Sequence, residues 1–97
     1  MSRETLTLEP DTRVRTSPSV YARAFGEELV LLDFGRGEYF GLDEVGAFVW
    51  RGVERGETLA GIADALVERF EVSRDVALRD VVELVSEMLT HGLVDVA

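Results

Sequence analysis

The apolar pattern of this chain changes period once, at Asp43. Before it lie short runs separated by turns: Val20-Tyr21-Ala22-Arg23-Ala24-Phe25, then Leu29 to Phe34, then Glu38-Tyr39-Phe40-Gly41-Leu42. Gly26-Glu27-Glu28 and Gly35-Arg36-Gly37 punctuate them, and such glycines are free to take positive φ in a tight turn. Runs rich in β-branched and aromatic residues between short turns predict three strands in an antiparallel meander. After Asp43 the apolar residues recur at three- and four-residue steps, the period of a helix packed on one side. A three-stranded sheet needs cover on one face, and helices following it supply that cover. The predicted fold is α+β and winged-helix-like, with the winged-helix parts in an unusual order.

Three helices are expected. Asp43 is a candidate N-cap with Glu44 in the first turn, where a negative charge is favourable. Val45, Phe48, Val49 and Val53 then form one stripe with Trp50 beside it, and Gly52 and Gly56 mark its end. Thr58 caps a second helix carrying Leu59, Ile62, Ala63, Leu66, Val67 and Phe70 on one face. Ser73 caps a third that runs to about His91, and Gly92 stops it. Residues 93–96 fold back. The first eighteen residues are polar and broken by Pro10 and Pro18. They read as a loosely held arm, 1–18, with at most a short strand near Arg13 to Arg15, ahead of one domain over 19–97.

Composition excludes several functions. With no cysteine in 97 residues there is no disulfide framework, zinc ribbon or thiol nucleophile. A chain of this size has little core to enclose an active site. The net charge of -9 is concentrated after residue 25, where six arginines face sixteen acids. That surface is unsuited to nucleic acid, whose non-specific affinity comes from basic residues. No apolar run exceeds the four residues of Leu29–Leu32, so no membrane span is expected. The N-terminal residues lack the apolar core of a secretory signal, and the expected location is cytoplasmic.

Catalytic constellations are not found. His91 is the only histidine, and near a helix C-terminus it reads as a dipole partner rather than a catalyst. The acids lack the spacing of a calcium loop, and Gly35, Gly37 and Gly41 do not follow dinucleotide or phosphate-loop spacing. Phe48 and Trp50 read as core. Neither a metal nor a cofactor is expected, and the chain reads as no enzyme.

The third helix carries the most information. With Ala77 at zero and about 100° per residue, Ala77, Val81, Leu84 and Met88 share one face. Leu78, Val82, Val85 and Leu89 make a second stripe about 110° away. That second stripe either packs the other helices, as in any small bundle, or lines a groove beside the sheet edge. If Glu38–Leu42 is the edge strand, its outer N–H and C=O groups are free, and an edge beside an apolar helix face accepts an added peptide strand. Gly41 inside that strand marks either a bulge or a close backbone approach. Arg36, Arg74 and Arg79 read as solvated charge or as contacts to an acidic peptide, whereas Asp75 and Asp80 suit a basic one.

Several stretches together resemble the PqqD-like peptide chaperones, the leader-recognition domains of ribosomally made, modified peptides. They are Val30-Leu31-Leu32-Asp33, Gly37-Glu38-Tyr39-Phe40-Gly41-Leu42-Asp43, Gly46-Ala47-Phe48-Val49-Trp50, and Gly56-Glu57-Thr58-Leu59 with Ile62-Ala63, Leu66 and Phe70. Asp80-Val81, Leu84, Met88 and Gly92-Leu93 complete a likeness spanning roughly residues 20 to 94. Asp43 stands where many members have Asn, and either residue caps a helix. The chain looks most like the stand-alone leader-binding proteins of lasso-peptide clusters. The resemblance implies a non-catalytic protein whose strand Glu38, Tyr39, Phe40, Gly41, Leu42 receives a precursor's leader peptide. The wheel adds Leu78, Val82 and Val85 as helix contacts. A cysteine leader peptidase and an ATP-dependent cyclase are the implied partners. A chaperone for a radical peptide-modifying enzyme is the close alternative, and a winged-helix DNA-binding regulator the more distant one.

Overall fold

The meander forms as the turn glycines require. The structure, a computed structural model, describes residues 8–97. Its elements are β1 (Val14–Thr16), β2 (Val20–Phe25), β3 (Glu28–Asp33), β4 (Glu38–Leu42), α1 (Glu44–Glu54), α2 (Leu59–Phe70), α3 (Arg74–Thr90) and β5 (Val94–Val96). Strands β2, β3 and β4 pair antiparallel in that order, with Ala22 opposite Leu31 and Leu31 opposite Phe40. Gly26 and Gly37, in the two turns, both have positive φ. Because side chains alternate along a strand, Leu29, Leu31 and Asp33 point to one face and are buried. Val30 and Leu32 point to the other, which no helix covers.

The three helices start where side-chain oxygens can satisfy their first N–H groups. Asp43, Thr58 and Ser73 accept from the backbone N–H of Gly46, Gly61 and Val76. The core lies between the helices and β3, built on Leu31, Val49, Trp50, Leu59, Ile62, Val81, Val85 and Met88. Trp50 satisfies its indole by donating to Glu54 Oε2 at 3.0 Å. Gly52 does not end α1, as its position suggested. It lies buried inside the helix, and a Cβ there would sit 2.7 Å from Ile62 Cγ1. The missing side chain lets α1 and α2 approach.

The N-terminal arm is held more closely than its composition suggests, and its short strand falls where one was read, near Arg13 to Arg15. Residues 1–7 lie outside the described residues, but the rest of 1–18 is tied to the domain. Strand β1 pairs antiparallel with β5, Val14 opposite Val96, and Val14 is buried. Leu59 and Ala60 donate their N–H groups to the carbonyls of Thr12 and Pro10 at 3.0 and 2.8 Å. These are orphan donors of the first turn of α2, so the arm finishes the cap that Thr58 begins. Backbone carbonyls, which every residue carries whatever its side chain, hold the arm in place.

Asp33 is the one buried charged residue among the described residues, 3% exposed. Its Oδ1 accepts from Ser19 Oγ at 3.0 Å, Gly35 N at 3.0 Å and Arg36 N at 3.3 Å. One carboxylate therefore shapes the turn into β4 and ties it to the start of β2. Asp33→Ala leaves these donors without their acceptor and is expected to cost about 2 kcal/mol. Urea denaturation will show this as a lower midpoint at unchanged slope.

Candidate functional site

Strand β4 is an edge strand: β3 pairs with one side of it, and no strand among the described residues pairs with the other. Its register with β3 is unbroken through Val30 opposite Gly41, so Gly41 marks no bulge. A Cβ at Gly41 would meet nothing within 4 Å. That position, opposite Val30, lies on the sheet face that the helices leave open.

Two shallow grooves follow β4 end to end against α3. The larger, about 520 Å³, is lined by Gly41, Leu42, Val45 and Gly46 on one side and by Asp80, Glu83, Leu84 and Glu87 on the other. The second, about 360 Å³, holds Gly37 to Phe40 opposite His91. Strand and helix therefore run in opposite directions along the site. At its far end the Phe40 ring lies 4.9 Å from the His91 ring, centroid to centroid. The Arg36 guanidinium packs over Gly92, where a Cβ would lie 3.0 Å from Nη2.

The helix contribution differs from the one expected. The buried seam of α3 is Ala77, Val81, Val85 and Met88, centred about 35° around the wheel. It thus runs between the two stripes read from the sequence. Val85 is 0% exposed and belongs to the core, so its side chain is not available to a ligand. Leu78 and Val82 are half-buried against that core from one flank, and neither lines the grooves. The opposite flank faces β4, and there Leu84 is the apolar residue, set among Asp80, Glu83 and Glu87. None of these three carboxylates forms an ion pair among the described residues; the pairs present are Arg55–Glu57, Arg69–Glu44 and Arg74–Asp64. The groove is apolar at its floor and acidic along its wall. The sequence signal for this flank was Leu84 itself, three residues from Val81 and four from Met88.

A sheet edge beside a partly apolar helix flank is an arrangement that can receive an added peptide strand. The family model for coenzyme PQQ synthesis protein D (PqqD) matches residues 28–94, and the chain belongs to this family. Two solved structures are similar. One is TbiB1 in complex with the TbiA(beta) leader peptide, 31% identical with a TM-score of 0.79, over 82% of this chain and 93% of that one. The other is lasso peptide synthetase B1 complexed with the leader peptide, 29% identical with a TM-score of 0.78, over 84% and 96%. No curated protein matches.

The burial difference within α3 is directly measurable. Val85→Ala opens a cavity in a closed core and is expected to cost about 2 kcal/mol. Leu84→Ala, on the groove flank, should cost less than about 1 kcal/mol. Comparable losses for the two in urea denaturation would contradict the assigned seam.

Proposed function

We propose that this chain captures the leader of a ribosomally made precursor peptide. The leader adds as a strand to the open edge of β4, along Glu38 to Leu42. The observation that carries this reading is the free β4 edge facing a groove on α3, in a chain similar to two proteins solved with leader peptides. Backbone pairing supplies register, and alternate side chains of the added strand meet Phe40, Leu42 and Leu84. Binding rather than chemistry is the function: His91, the one histidine, packs against Phe40 in the groove. The captured leader is delivered to processing enzymes in the cytoplasm, with a cysteine leader peptidase as first receiver and an ATP-dependent cyclase beyond it. No helix among the described residues is long and apolar enough to cross a membrane.

A chaperone for a radical peptide-modifying enzyme is the second reading, favoured by the family match itself. Neighbouring genes separate the two: a peptidase and a cyclase support the first, a radical enzyme the second. A DNA-binding role fits poorly, since Asp80, Glu83 and Glu87 project from the exposed flank of the longest helix.

A fluorescent leader peptide from the adjacent precursor gene should bind with a dissociation constant of about 1 μM or below. Leu84→Asp should weaken it at least ~10-fold, roughly 1.4 kcal/mol, while the far-ultraviolet circular dichroism stays unchanged. Val82→Asp is the comparison: a larger loss there would return the contact to Leu78 and Val82. Absence of binding to any neighbouring precursor sinks the reading. The acidic wall makes a second outcome specific. Leaders with cationic side chains on the helix-facing positions should bind best, and added salt should weaken them.

A further inference from the structure

The sheet has a second free edge. Strand β2 pairs only with β3, and its outer side meets no strand among the described residues. It overhangs the helical layer, since α1 packs under β3 and β4, and Ala22 and Ala24 are exposed on the helix side. On the uncovered face Tyr21 is 63% and Phe25 61% exposed. Phe34 extends the patch, 68% exposed, with its ring edge-on to Tyr21 at 5.3 Å.

Exposed edges are usually blunted by charged side chains, lysine above all, by an internal proline, a bulge or shortness. Strand β2 carries one charge, Arg23, and none of the other devices: its six residues keep an unbroken register with β3. Most of the chain's acid lies elsewhere, on the turns and helices.

We propose that two copies of this chain pair through β2, antiparallel about a two-fold axis, with Ala22 opposite Ala22 of the second copy. The register follows from the side-chain period. Continuing the same apolar face across the junction requires some residue to oppose itself. Centring on Arg23 would set two guanidinium groups face to face, which is unfavourable. Centring on Tyr21 leaves half the strand unpaired. Centring on Ala22 sets Arg23 opposite Tyr21 of the second copy, twice by symmetry, as a cation–aromatic pair. The strand thus carries both halves of its own complement, which favours a second copy over an unrelated protein. The product is a six-stranded sheet with one aromatic face, and β4 is left free at each outer edge.

The absence of native cysteine makes the test clean. In the proposed register the two Ala22 Cα atoms lie ~4.5–5.5 Å apart, within disulfide range. Ala24 opposes Val20, so two Ala24 positions are offset by four residues, ~13 Å along the strands. Under mild oxidation of the full chain, Ala22→Cys should form a covalent dimer and Ala24→Cys should stay monomeric. The unmodified chain should dimerise in a concentration-dependent way by sedimentation. Added salt should tighten the dimer, because it screens two strongly acidic bodies. Ala22→Asp, at an exposed position, should raise the dimer dissociation constant at least ~10-fold by opposing two carboxylates. Sedimentation of the unmodified chain as a monomer at every concentration overturns the proposal. So does equal cross-linking of Ala22→Cys and Ala24→Cys.

Discussion

The buried seam of α3 sets the orientation on which the site depends. Ala77, Val81, Val85 and Met88 interlock with the rest of the core, and close packing leaves that helix one rotation about its axis. Once the rotation is set, everything outside the seam is assigned to a flank. One flank brings Leu84 and three carboxylates to β4, and the other takes Leu78 and Val82 away from it. The groove is therefore a by-product of core packing. Its chemistry can vary at Asp80, Glu83 and Glu87 with little effect on stability, since exposed positions outside special features tolerate substitution.

The β4 side of the groove is held by different means. Asp33 organises the turn before the strand, Asp43 caps the helix after it, and Leu42 packs closely on Gly46. The edge is thus fastened at both ends while its outer backbone groups stay open. A rigid edge of this kind loses little freedom when a peptide adds to it, so most of the ordering cost falls on the peptide.

Local signals in the sequence were legible, and non-local ones were not. Asp43, Thr58 and Ser73 each act within three residues, so all three helix starts could be read from the residues alone. The meander and its edge strand followed equally from short-range turns. The flank of α3 that meets the sheet could not be read this way. A helical wheel shows that two apolar stripes exist, but which side β4 lies on is decided by residues some forty positions earlier. The same limit explains Gly52, whose contact with Ile62 is made between helices. It also explains the arm, whose partners are Leu59, Ala60 and the last residues of the chain.

That last pairing has a consequence for how the domain comes into being. Val14 is made well before Val96, yet they stand opposite each other, and Ala97 donates to the carbonyl of Arg13 at 2.9 Å. During synthesis the sheet and first helices can form while β1 waits without a partner. Closure of this pair waits for β5 and helps to cover Val14, whereas the bonds that Leu59 and Ala60 make to the arm need nothing beyond the start of α2.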